Sequence, residues 1–468
     1  MTTFAIQNFG CRATQADASA IEAELLAGGA QRAASSDHAD VVVFNTCTVT
    51  AAADAQTRDA IRHVHRANSG ARIIVTGCYA QRAPEEIACL EGVTWVVGNS
   101  RQAQIPALID DSGVATRVDM ADSQPTDFVP LRALGASETR DLSRRKILLD
   151  DLSSWRGAFV QPTIPIDQDR TRPILKIQDG CNNRCSYCII PAVRGASRSL
   201  EPQAVLTAIR DLAASGAREV VLSGINLGSY GRDLAPPTSL ARLLPRILDE
   251  TPIESIRLSS IEPMDVTQDF VQLLATHSRL APHFHMPLQS GSDKVLRAMH
   301  RWYRAAHYER RIDLIREFLP NAAIGADVIA GFPRETDSDF AETMSFVERL
   351  HFTYLHVFSF SERPGTPAAG LTGIVAPEVI HRRARALRTL AAKKDAEFRA
   401  KQVGRTVRAL TLRHKKTWTG ASDPLGWTPA LTGNFLKIRV EGNWPANRWI
   451  EIALPAGAES AKPITKPY

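Results

Sequence analysis

The segment ILKIQDGCNNRCSYCIIP, residues 174–191, ends an apolar, strand-like run on three cysteines, Cys181, Cys185 and Cys188, spaced C-x-x-x-C-x-x-C. A loop with that spacing must fold back on itself if its thiols are to meet one metal centre, so it fixes the local path of the chain. The residues between the cysteines, Asn182, Asn183, Arg184 and Ser186, are polar, which argues against three cysteines that merely fill a core. A closed structural zinc site needs a fourth ligand, and neither a fourth cysteine nor a nearby histidine follows Cys188. A cubane iron–sulfur cluster has four irons and takes thiolate ligands. Three cysteines leave one of its irons open.

At 468 residues the chain is too long for one core. Residues 1–112 alternate β-branched runs with helical segments: TFAIQNF, QADASAIEAELLAGG, DVVVFNTC, a further helix, then RIIVTGC. That is the pattern of βαβ units around an open parallel sheet. Residues 113–170 are polar and show little periodicity apart from a helical signal near 142–152, and read as a linker. From 171 to 400 the alternation resumes, with strands expected at ILKIQ, EVVLSG, SIRLSSI, HFHMPLQ, AAIGADVIAGF and YLHVFSF. Six strand–helix repeats predict a partial (β/α)6 barrel whose ligands lie at the carboxyl ends of the strands. Residues 377–401 read as a basic, exposed helix, and residues 401–460 as a small antiparallel β-barrel, because short β-prone runs are separated by Gly, Pro and Asn. The fold class is a multidomain α/β protein.

No apolar run approaches the roughly 20 residues that span a bilayer, and the start MTTFAIQNFG lacks the basic and apolar regions of a secretory signal. These features place the chain in the cytoplasm, where seven cysteines do not read as a disulfide framework. A net charge of +6 and a pI near 9.0 suit a polyanionic partner. Nothing demands more than a monomer.

Cys11, Cys47 and Cys78 each follow an apolar run, in QNFGC, VVFNTC and IVTGC. In a parallel sheet those positions share one carboxyl edge and can converge; ordinary buried cysteines are the alternative. Cys89, in APEEIACLEG, has no such context and reads as structural.

The triad at the end of the first barrel strand resembles that of the radical S-adenosylmethionine (SAM) enzymes. NFGCRATQADA, NTCTVTAAADAQTR and VTGCYAQRAPEE are similar to the N-terminal domain of the methylthiotransferases among them. The resemblance covers nearly the whole chain, including a C-terminal segment, ALTGNFLKIRV, similar to the TRAM RNA-binding barrel. It implies two [4Fe-4S] clusters. One is held by Cys181, Cys185 and Cys188, with SAM chelating the open iron. The other is held by Cys11, Cys47 and Cys78, where sulfur and methyl groups are assembled, and both clusters face one cavity. The resemblance also places Tyr187 near the adenine, and VLSGINLGSYG with Gly224 and GADVIAGFPRET with Asp327 along the SAM pocket. Ser259, Glu262 and Gln289, at or just beyond strand ends, are further lining candidates. Two features depart from the family: the stretch 122–172 is longer, and Phe435 stands where a Tyr is common, a change expected to weaken one RNA contact.

Family members use two SAM molecules per product, one as methyl donor to sulfur and one as the source of a 5′-deoxyadenosyl radical that removes hydrogen from an unactivated carbon. Branches act on C2 of a bulky adenosine beside the tRNA anticodon or on a ribosomal-protein aspartate. NTCTVTAAAD, KIQDGCNNRCSYCIIPAVRG, LSGINLGSYG and HMPLQSGSDKVLRAMHRWY are most similar to the branch acting on N6-threonylcarbamoyladenosine at position 37 of tRNA. The N6-isopentenyladenosine branch stands next. The partners implied are tRNA, an electron donor such as flavodoxin or ferredoxin, and a sulfur donor or iron–sulfur assembly protein. Arg194 and Arg198 are expected to meet RNA phosphate or a substrate carboxylate, and Arg382, Arg383, Arg385 and Arg388 to meet phosphate. A non-catalytic iron–sulfur RNA-binding protein would share the charge and cysteines but has no use for an open iron.

Overall fold

The computed structural model describes residues 1–109, 146–152, 155, 171–413, 426–454 and 460–463. The chain forms two compact units, residues 1–161 and 162–468.

The first unit holds strands β1 (Thr3–Asn8), β2 (Gln31–Arg32), β3 (Val41–Thr46), β4 (Arg72–Gly77), β5 (Val93–Val97) and β6 (Lys146–Leu148). They form one parallel sheet in the order β2-β1-β3-β4-β5-β6. All six residues of β3 are buried, as a strand covered on both faces requires. One face packs Phe4, Val41 and Val43 against Ile21 and Leu25 of the helix Arg12–Ala27. The other packs Val42, Phe44 and Ile73 against Ile61 and Val64 of the helix Ala51–Ala67. That second helix starts at Thr50, whose hydroxyl accepts from Ala53 N at 3.2 Å and caps an otherwise unpaired amide. β6 comes from the stretch read as a linker. Lys146–Leu148 pairs with β5 through Trp95↔Lys146 and Val97↔Leu148, so the helix expected near 142–152 gives way to an edge strand in its described part. Most of the remaining linker lies outside the described residues.

The second unit opens with β7 (Ile174–Asp179), the short β8 (Arg198–Ser199), β9 (Glu219–Gly224) and β10 (Ser255–Leu258), followed by β11 (His283–His285), β12 (Ala323–Ala330) and β13 (Tyr354–Ser359). The sheets β10-β9-β7-β8 and β11-β12-β13 are joined by the parallel bridges Ile256↔Leu280 and Ser260↔His285. The result is an arc of six parallel strands, β7-β9-β10-β11-β12-β13, the partial barrel that the alternation predicts. β8, antiparallel to β7, had no signal in the sequence. On β12, Ala326, Val328 and Ala330 are buried while Asp327 and Ile329 keep partial access, the period of two expected of a strand.

The last five strands, β14 (Thr406–Thr411), β15 (Trp427–Thr432), β16 (Lys437–Glu441), β17 (Trp449–Ala453) and β18 (Ser460–Pro463), close a small barrel in the order β14-β15-β16-β18-β17. Its pairs are antiparallel except β16 with β18, which run parallel. The β15–β16 turn is seated against the larger barrel. Arg257 donates to Gly433 O at 2.9 Å and Thr432 O at 3.2 Å, and the Phe435 ring stacks on His283 with centroids 4.2 Å apart. Phe435 is therefore engaged within the chain.

Arg257 also donates from Nε and Nη2 to the two oxygens of Glu219, at 2.9 and 3.2 Å, and Arg172 reaches the same carboxylate at 3.1 Å. Burial alone would raise the Glu219 pKa, yet Arg257 and Arg172 hold it at about 2. Its folded pKa lies below the unfolded value of about 4.3. The stabilisation is therefore complete above that pH and is lost as the pH falls toward 2. Glu219→Gln should lower the unfolding free energy at pH 7 by about 3 kcal/mol. It should also flatten the decline in stability between about pH 5 and 2, as read by urea melts; an unchanged pH profile would show that the ion pair does not matter to stability.

Candidate active site

Register brings the first three cysteines together. Asn8 pairs with Asn45, and Thr46 with Gly77, so Cys11, Cys47 and Cys78 leave the sheet from adjacent strands at one edge. Gly10 has φ +115°, and a Cβ there would lie 2.9 Å from Cys47 Sγ, so a side chain at position 10 is excluded by both conformation and space. Thr14 donates to Cys11 O at 2.8 Å and fixes that turn. Cys47 and Cys78 are buried and Cys11 is exposed. Cys11 is the N-cap of the helix Arg12–Ala27 and Cys78 opens the helix Cys78–Arg82. Cys89 is exposed rather than a core residue. It follows the short helix Pro84–Ala88 as its C-cap, where the apolar positions are taken by Ile87 and Ala88.

The second three ride on a loop after β7 that is stitched down at each turn. Gly180, at φ +70°, has no room for a Cβ against the Ala196 backbone. Cys181 N donates to Gly195 O at 3.1 Å, Ser186 N to Met299 O at 3.0 Å, and Ala368 N to Ser186 O at 2.8 Å. Burial raises the Cys181 thiol and pushes Cys188 up to about 12, so protons must leave when a cation binds. Arg301 Nη1 donates to Cys185 Sγ at 3.2 Å and Nη2 is bonded to Glu262; its guanidinium stands 4.8 Å from the Tyr303 ring centroid.

Side chains that share a single ion bring their ligand atoms close together, within 4.8 Å of one another in this chain's one such group among the described residues. Among the described residues, His285, Asp327 and His356 meet that spacing. Three thiols on a loop pinned by backbone hydrogen bonds suit a cluster that takes three thiolates, whereas a closed zinc site needs a fourth ligand.

The lining candidates separate by neighbourhood. Tyr187 is partly buried against Val295, Met299, Phe332 and Ala368. Gly224 lies against Gln178, leaving no room for a Cβ beside its Oε1. Gln178 accepts from Asn226 N at 2.7 Å and donates to Ser197 Oγ at 3.0 Å. Asn226 lies beside Cys181, where its side chain acts to lower the thiol's pKa against the burial that raises it. Glu262 reaches the cysteine loop through Arg301. Ser259 is buried with an unpartnered hydroxyl. Gln289 has φ +67°, and its N–H donates to Asp327 O at 2.8 Å. Asp327 faces two histidines: His285 and His356 hold its carboxyl well below the usual range although burial acts to raise it. Arg301, Gln178, Asn226, His285 and His356 were not singled out from the sequence. For the histidines a signal existed, because HFH and YLHVF place them at alternate positions of strands, on the same face as Asp327.

Several basic expectations fail. Arg194 is 1% exposed, and its Nη1 donates to both Asp179 oxygens at 3.1 Å. Arg198 donates to Arg194 O at 3.1 Å and Lys176 reaches Asp179 at 2.8 Å. Their charges offset a buried carboxylate beneath the cysteine loop and do not meet a phosphate. Arg383 is buried, bonded to Glu335 Oε2 at 2.8 Å and Asp337 at 2.7 Å. Arg382, Arg385 and Arg388 face solvent, because neighbours on a helix turn about 100° apart.

Residues 175–347 match the radical SAM superfamily, and residues 3–98 match a family described as uncharacterized protein family UPF0004. Among solved structures, the fold resembles the radical SAM methyltransferase TsrM from Kitasatospora setae (TM-score 0.52, 18% identity, 79% of this chain and 77% of that one). The chain is 32% identical to a threonylcarbamoyladenosine tRNA methylthiotransferase of Aquifex aeolicus, over 96% of this chain and 99% of the relative. It is 33% identical to the Bacillus subtilis protein of the same description, over 94% and 91%. A tRNA-2-methylthio-N(6)-dimethylallyladenosine synthase of Thermobifida fusca is 35% identical over 87% and 77%. The chain belongs to the radical SAM methylthiotransferase family. It is a transferase whose cofactors are [4Fe-4S] clusters, two as is typical of the family, and SAM.

A cationic N–H donor on a ligating sulfur favours the reduced, more negative cluster. Arg301→Gln should therefore shift the reduction potential of one cluster to more negative values, at unchanged iron and sulfide content. An EPR-monitored redox titration reads the shift, and an unmoved potential would separate Arg301 from the cluster.

Proposed function

We propose that this enzyme transfers a methylthio group to C2 of N6-threonylcarbamoyladenosine at position 37 of tRNA. The observation that carries the choice of nucleoside is the polar face of the partial barrel, where His285, Asp327 and His356 project together from β11, β12 and β13 beside Ser260. A threonylcarbamoyl group, with its ureido N–H groups and carboxylate, can hydrogen-bond to such a face, whereas an isopentenyl group offers it no polar atom. The near full-length match to two relatives described as threonylcarbamoyladenosine enzymes supports the same reading. The isopentenyl alternative rests on the 35% identity to the dimethylallyladenosine synthase.

In this reading Cys181, Cys185 and Cys188 hold the cluster that takes SAM, and Cys11, Cys47 and Cys78 hold the second. The chemistry that the cluster and SAM would supply when bound is one-electron activation of an unactivated C–H bond. The chain's own groups bind and orient. Arg301 fixes Cys185 and Glu262 together, and Gln178 and Asn226 hold the loop beside Cys181. Tyr187, with the apolar side chains it packs on, keeps water from the loop. Arg382, Arg385 and Arg388 offer phosphate contacts, with the TRAM-like barrel as the second tRNA-binding element. A flavodoxin or ferredoxin supplies electrons, and a sulfur donor or iron–sulfur assembly protein restores the second cluster. The enzyme works with its tRNA in the cytoplasm. Among the described residues no helix is long and apolar enough to cross a membrane.

Mass spectrometry of tRNA nucleosides tests the substrate. A strain lacking the gene should lose 2-methylthio-N6-threonylcarbamoyladenosine, regain it with the wild-type gene, and fail to regain it with Cys185→Ala. Persistence of that nucleoside would overturn the assignment, and loss of the isopentenyl analogue would establish the alternative. Replacing Arg382, Arg385 and Arg388 by Gln should weaken tRNA binding and reduce the slope of log K against log salt by about one for each phosphate no longer neutralised. An unchanged slope would take the helix out of the interface.

A further inference from the structure

We propose that His285, Asp327 and His356 form a binding site for a divalent first-row metal ion, distinct from both cysteine sets. The residues lie on successive strands, β11, β12 and β13. Asp327 pairs with His356, and His285 pairs with Gly325, two residues before Asp327, so all three side chains project from one face of the sheet. Their ligand atoms lie within 4.8 Å of one another. Asp327 Oδ1 is shared, at 3.1 Å from His285 Nε2 and 3.1 Å from His356 Nδ1. Metal–ligand bonds of about 2.1 Å place neighbouring ligands about 3 Å apart, so both pairs have the spacing of adjacent positions in one coordination shell.

His285 gives an independent sign of a ligand. Its residue is 6% exposed, its Nδ1 is engaged by Ser260 Oγ at 2.7 Å, and its Nε2 has no hydrogen-bond partner. The approach to Asp327 is close but out of hydrogen-bond alignment. Buried ring nitrogens are as a rule paired, and an ion on the Nε2 lone pair satisfies this one. Ser260 then fixes the tautomer from behind, as a backing group does for a ligating histidine. His356 Nδ1 stands in hydrogen-bond geometry to the carboxylate, a bond the ion would replace. The His356 side chain is 55% exposed, which leaves open positions for water or for an oxygen ligand. Two imidazoles, a carboxylate and open positions suit Fe2+, Mn2+, Co2+ or Zn2+.

The test uses the holoenzyme with both clusters reconstituted and loose metal removed, so that the cysteines are occupied. Mn2+, a poor ligand for sulfur, is titrated in, and the free ion is followed by EPR. One equivalent should bind, and Zn2+ should displace it, as the Irving–Williams order requires. His356→Gln, at an exposed ring, should weaken binding at least about tenfold, and Ser260→Ala about tenfold, with iron and sulfide content unchanged. Absence of stoichiometric Mn2+ binding by the wild type, or equal binding by both variants, would overturn the site.

Discussion

Parallel pairing in register is the constraint on which both cysteine sites depend. A parallel sheet releases its strands at one edge, and the backbone hydrogen bonds decide which residues leave side by side. Thr46 opposite Gly77, and Phe9 N on Asn45 O at 2.8 Å, put Cys47 next to the turns that carry Cys11 and Cys78. In the barrel, Gln178 opposite Gly224 does the same for the cysteine loop and the glycine segment after β9. Tight departure from the edge then needs left-handed backbone, which Gly10 and Gly180 supply where a Cβ would strike Cys47 or Ala196.

A second constraint is the cost of burying charge. Asp179 is held well below the usual carboxylate range, because Lys176 and Arg194 outweigh a burial that would raise it. Glu219 is matched by Arg257 and Arg172, and Arg383 by Glu335 and Asp337. Each group ties a strand end or helix to its neighbour, and breaking one leaves an uncompensated ion in a low-dielectric interior. A chain of net charge +6 is therefore less basic at its surface than its arginine count suggests. The arginines that remain on the helix Pro377–Gln402 are those its periodicity turns outward.

Some of the architecture was legible because its signals are local. Alternating β-branched and helical runs gave the parallel sheet and the six-stranded arc, and a motif eight residues long gave the cysteine loop. Contacts between distant segments were not legible. Arg301 meets Cys185 across 116 residues, and no spacing rule links MHRWY to the loop. β6 was hidden in a polar stretch because an edge strand of three residues carries almost no period. Arg194 and Arg198 looked like surface cations because a basic residue near a functional loop gives no sign of the carboxylate beneath it. Phe435 stands in sequence only as a departure from a common Tyr, and the folded turn shows it seated on His283.

What the sequence by itself determined is the set of chemical groups and their local order: six cysteines at strand ends and a loop, glycines at the turns, and repeating elements that admit few packings. Tertiary structure decided which of these groups face one another. Strand register has a period of two, and one residue of slip would turn Asp327 away from His285 and His356. Helix rotation likewise parted Arg382 from Arg383. Both depend on backbone hydrogen bonds and packing between segments far apart in the chain, and those interactions exist only once the chain has folded.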